Sequence, residues 1–112
     1  MMEKLDKAQI YEEMIGAVKG VLEDNWQKAR PFAEKQIMLF TESLQTIQLL
    51  KDQGKLNEEQ AKLYLEIQKS SLRITLMTVD GLQALAVEKA INTALAVVKK
   101  AINTAIGWKL IV

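Results

Sequence analysis

Lys51-Asp52-Gln53-Gly54-Lys55-Leu56-Asn57-Glu58-Glu59-Gln60 divides this 112-residue chain almost in half. Gly54 suits the left-handed position that closes a helix, because it has no Cβ to clash there. Asn57, followed three residues later by Gln60, is a capping-box pattern that opens another helix. Glu58 and Glu59 then fall in a first turn, where the helix dipole favours negative charge. The stretch predicts helix, tight turn, helix: an αα-hairpin.

Outward from this turn, nearly every residue suits a helix. Proline occurs once and glycine five times, and Ala, Leu, Glu, Lys and Gln fill most positions. The expected fold is all-α. It is a single domain with one arm from about residue 4 to 53, a turn at 54–57 and a second arm from about 57 to 110. An unbroken 50-residue arm would be about 75 Å long. Two weaker breaks interrupt the arms. Pro31 lacks a backbone N–H and disfavours helix at Arg30. Asp80-Gly81-Leu82-Gln83 can restart a helix, with Asp80 as cap and Gln83 reaching back. With the turn centred near residue 55, residue i lies opposite residue 110 − i, roughly, so Pro31 and Gly81 share a level and form a candidate hinge. The same register brings Asp80 toward Arg30 and Glu42 toward Lys69. The breaks either kink a long hairpin or fold it into a four-helix bundle.

Apolar residues recur at helical spacing throughout. Ile10, Tyr11, Met14, Val18, Val21 and Leu22 mark the first segment. Ile37–Phe40, Leu44, Ile47, Leu49 and Leu50 mark the second, and Leu63, Tyr64, Ile67, Leu72, Ile74, Leu76 and Val79 the third. The last segment carries an 11-residue echo: Lys89-Ala90-Ile91-Asn92-Thr93-Ala94 returns as Lys100-Ala101-Ile102-Asn103-Thr104-Ala105. Eleven residues make almost three helical turns, so the copies lie nearly in line. They build one face from Val87, Ile91, Ala94, Leu95, Val98, Ala101, Ile102, Ala105 and Ile106. Ala90, Ala94, Ala101 and Ala105 form a small-residue ridge on it.

A lone two-helix hairpin buries one strip per helix and seldom supports a core, so either the chain bends into a bundle or copies associate. Self-association is the expectation. Its candidate contacts are Ile91, Ala94, Leu95, Val98, Ala101, Ile102, Ala105 and Ile106, with Gly16 and Gly20 as a second, close-packed strip. A membrane surface is the competing partner. Residues 81–112 carry four lysines against Glu88 alone, and Lys99, Lys100, Trp108 and Lys109 suit a lipid interface.

Composition narrows the function class. Fifteen basic residues against fourteen acidic ones give a net charge of +1, with no general bias toward nucleic acid. Arginine occurs only at 30 and 73, without an aromatic cluster beside it, so a nucleic-acid partner is not expected. The first 60 residues hold eleven acidic and eight basic groups; the rest hold three and seven. That asymmetry favours pairing of one half on the other.

Histidine and cysteine are both absent, which removes the usual bases, nucleophiles and metal ligands. Glu12-Glu13, Glu23-Asp24 and Glu58-Glu59 are adjacent pairs that diverge around a helix. No glycine loop cradles phosphate. No enzyme activity, cofactor, metal or small-molecule substrate is expected. No signal peptide or membrane span is evident, so the chain reads as soluble on synthesis, with its location open. The leading expectation is a non-enzymatic, self-assembling structural or scaffold subunit, a class that includes small virion, tube and secretion-apparatus components. A membrane-surface or pore-forming protein comes second. Third is a small adaptor or chaperone, consistent with five methionines.

Overall fold

The structure, a computed structural model, describes residues 5–112. Four α-helices fold in sequence: α1 (Lys7–Leu22), α2 (Trp26–Asp52), α3 (Glu58–Met77) and α4 (Ala84–Ile106). They form an up-down-up-down bundle measuring 43 × 24 × 21 Å. Among neighbouring helices, packing is most extensive between α1 and α4 and least between α3 and α4. The expected choice between extended hairpin and bundle thus falls to the bundle.

The central turn forms as the sequence specifies. Gly54 takes a φ of 69°. The Asn57 side chain accepts the Gln60 N–H at 2.8 Å, and the Gln60 side chain accepts the Asn57 N–H at 2.9 Å. The hairpin register holds as well. Thr46 and Tyr64, Glu42 and Gln68, and Leu39 and Ser71 line the two walls of one α2–α3 groove.

The break in the first half lies at Glu23–Asn25, a single 3-10 turn, rather than at Pro31. Glu23 has φ 49° and ψ −113°, which reverses the chain, and Lys7 at the start of α1 reaches Gln45 near the end of α2. An unbroken helix over 7–52 would be about 69 Å long, longer than the whole molecule. Pro31 is the sixth residue of α2 and does not end it. It is exposed, as is Gln27. The Gln27 carbonyl, deprived of its helical donor, therefore opens onto water and its loss is small.

Gly81 does mark a break, with φ 86°, and it lies beside Asn25 and Lys28. The two breaks are side by side, but Gly81 is paired with the α1–α2 turn and not with Pro31. Asp80 is not the cap of α4; Gln83 holds the cap position and makes no side-chain bond there. Arg30 pairs within its own helix, with Glu34 at 3.2 Å. Among the described residues, neither Asp80–Arg30 nor Glu42–Lys69 forms an ion pair; the one bridge between helices joins Arg73 to Glu88.

One core runs through the bundle. Met14 and Val18 of α1 share it with Ala29, Ala33, Ile37 and Leu44 of α2 and Val87, Ile91, Ala94 and Val98 of α4. Alanines at 29, 33, 90 and 94 let these helices approach closely around the larger side chains. Helix α3 contributes only Ala61, Leu65, Leu72 and Leu76. The buried hydroxyls of Thr41 and Ser43 donate to the Met38 and Leu39 carbonyls at 2.7 and 2.9 Å. No buried side-chain polar atom among the described residues is left without a partner.

Past α4 the chain folds back. Gly107, at φ 83°, ends the helix with its N–H on the Asn103 carbonyl. The Asn103 side chain then holds the tail. Its oxygen accepts the N–H groups of Leu110 and Ile111, each at 3.0 Å, and its amide donates to the Ile111 carbonyl at 2.8 Å. Leu110 and Ile111 are buried and border the opening between α3 and α4.

Candidate functional surface

The C-terminal face expected to join copies is largely used within the chain. Ile91, Ala94, Val98, Ile102 and Ile106 are all buried, mainly through the extensive α1–α4 packing. Leu95 and Ala105 are half-buried, and Ala101 is exposed. Within one chain this arc is an internal seam: its buried members would have to leave the core to reach another chain. Gly16 and Gly20 are exposed, with open space around both.

The candidate membrane contacts divide in the same way. Lys99, Lys100 and Lys109 are exposed, but Trp108 is half-buried beneath the Lys51 ammonium, 4.8 Å from its ring centroid. Lys51 also donates to the Ile106 carbonyl at the end of α4. The indole is therefore occupied by a cation–π contact that also caps a helix. No helix among the described residues is long and apolar enough to cross a membrane. No group of three His, Cys, Asp or Glu in that range could hold a metal ion.

An aligned set of exposed apolar side chains lies on α3. Leu63, Ile67, Ile74 and Met77 are 66, 63, 65 and 49% exposed. With Ser70 they follow 4-3-4-3 spacing, one straight row on a helix. The buried residues Ala61, Leu65, Leu72 and Leu76 occupy the opposite row. Helix α3 is thus apolar on two opposed faces, and the bundle covers one. Beside the open row runs the α2–α3 groove, about 570 Å³, with Leu39 and Ile74 in its lining. Phe32, 48% exposed, lies on the same α2 row as Leu39, seven residues away.

In the sequence, Leu63, Ile67 and Ile74 fall with Leu72 and Leu76 in one apolar segment. Sorting them by angle around the helix separates two rows, and that was the available signal.

Arg73 and Glu88 fix one end of the α3–α4 opening. The guanidinium donates through Nε at 2.5 Å and Nη2 at 3.3 Å. This hydrogen bond, with the adjacent positive charge, holds the Glu88 carboxyl below its usual range. At the other end, Lys69, Lys99, Leu95 and the tail surround an opening of about 580 Å³ above Phe40. Comparison with protein-family models, curated proteins and solved structures gives no match.

Proposed function

We propose that this chain is a non-enzymatic helical assembly module whose working surface is the outer face of α3. The observation that carries this reading is the open row Leu63–Ile67–Ile74–Met77, four large apolar side chains aligned on one helix and at least 49% exposed each. Isolated apolar side chains on a surface are ordinary, but a contiguous ridge marks an interaction site. A helix whose second face is apolar presents the ridge on which helix-to-helix recognition depends.

The partner favoured is a second copy of the same chain. The row is about 21 Å long and one helix wide. That falls short of the roughly 800 Å² per partner of a standard stable interface, so association in the micromolar range is expected. Light scattering across micromolar concentrations tests the reading: mass should rise toward the dimer as concentration increases. A constant monomer mass would defeat it. Adding anionic vesicles to the same measurement tests the lipid alternative, which requires binding that wild type shows and a Lys99→Glu/Lys100→Glu variant loses.

A further inference from the structure

Resting on that reading of α3 as a self-association surface, we infer that two copies meet through α3 in an antiparallel, two-fold contact centred near residue 69. The row reads Leu63, Ile67, Ser70, Ile74, Met77, with large apolar residues either side of one small serine. Glu66 and Arg73 flank it on the same edge, each one residue before an isoleucine of the row. A two-fold contact must be self-complementary, so every feature has to match its own counterpart on the other copy.

The two orientations make different contacts. Side-by-side parallel helices would set Ser70 against the partner's Ser70, leaving a gap at the centre. They would place Glu66 near the partner's Ser71 and Arg73 near the partner's Thr78, with no opposite charges paired. Antiparallel helices in the register centred near residue 69 set Leu63 against the partner's Ile74 and Ile67 against the partner's Ser70. Each small side chain then receives a large one. The same register brings Glu66 opposite the partner's Arg73, twice per dimer. Arg73 is already aimed: Glu88 engages its Nε and Nη2, and a guanidinium has five N–H donors, so others remain for a second carboxylate. Charge and shape therefore select the same orientation.

The chain contains no cysteine, so a single introduced thiol reports its own neighbour. Ile67→Cys and Ser70→Cys, opposite one another in this register, should form a disulfide-linked dimer under mild oxidation when the two variants are mixed. Leu63→Cys and Ile74→Cys should each fail to link alone, yet link to one another when the two variants are mixed. Ile67→Glu should weaken dimerisation by at least about tenfold while leaving the helical circular dichroism intact, since Ile67 is exposed in the monomer. Self-linking of Leu63→Cys would mean a parallel contact and overturn this inference. A wild-type dimer in which mixed Ile67→Cys and Ser70→Cys variants do not link would place the contact elsewhere, overturning the inference but not self-association. A wild type that stays monomeric would overturn both.

Discussion

Replacing Asn103 with alanine should release the chain end, and the echo in the sequence supplies the control. Three hydrogen bonds join the Asn103 side chain to Leu110 and Ile111, at about 1 kcal/mol net each. Burial of Leu110 and Ile111, 6 and 8% exposed, adds about 2 kcal/mol apiece. Against that sum of about 7 kcal/mol stands the ordering of residues 108–112, at least about 5 kcal/mol of backbone entropy. Docking of the tail is therefore favourable by only about 2 kcal/mol, and loss of the bonds abolishes it. The destabilisation is capped at that value, because a detached tail has no more to lose. Alanine returns about 0.5 kcal/mol of helix propensity, which leaves a net loss of about 1.5 kcal/mol, or roughly 6 °C in Tm for a chain of this size. Asn92 occupies the same place in the first copy of the hexapeptide and is exposed. Asn92→Ala should be neutral or slightly stabilising. Urea unfolding followed by far-UV circular dichroism measures both, and hydrogen exchange should lose protection at the Leu110 and Ile111 amides in Asn103→Ala alone. Equal stability of the two variants, within about 0.5 kcal/mol, would refute the clamp.

Glu23→Gly should stabilise the bundle by about 1 kcal/mol, because glycine accepts the positive φ at the α1–α2 turn that glutamate takes under strain; chemical denaturation checks this. Arg73→Gln should remove a pH dependence. The Glu88 carboxyl is lowered in the folded state, so the stability it confers is fully present above its ordinary value of 4.5 and disappears as pH falls through the folded value. Wild type should thus lose more Tm than Arg73→Gln between neutral pH and pH ~3, by an amount fitting a partly exposed pair of about 0.2–1 kcal/mol. Lys51→Met should lower stability by about 1 kcal/mol and alter Trp108 emission, as both the cation–π contact and the helix cap disappear.

The central hairpin was legible because its signals are local. Gly54, Asn57 and Gln60 each act within a few residues, and they fix the α2–α3 register with them. The first break was not, and the periodicity explains why. Val18, Leu22, Trp26, Ala29 and Ala33 are all buried and recur every three or four residues. The apolar phase runs through Glu23–Asn25 without a shift. Only the poor helix formers Asp24 and Asn25 mark the turn, while Pro31 gave a louder signal at a position where solvent absorbs its effect. The role of Asn103 was equally hidden, since its six-residue surroundings match those of Asn92. Its partners lie seven and eight residues onward, past a glycine that turns the chain back. The open row on α3 was present in the residues but merged with the buried row beside it. Which face the bundle covers is a tertiary outcome.

The thin attachment of α3 has a consequence for how the molecule opens. Over its twenty residues this helix buries four side chains, one of them an alanine, against four in the sixteen residues of α1 and nine and seven in α2 and α4. Its amides should exchange earliest among the four helices, through a partial opening that leaves the other three assembled. A second copy seated on the outer row would bind only the closed form. Protein concentration then acts as a ligand for the least protected part of the fold, raising its opening free energy by mass action. Stability in this chain would be set helix by helix, with the weakest one tuned by how many neighbours are in solution.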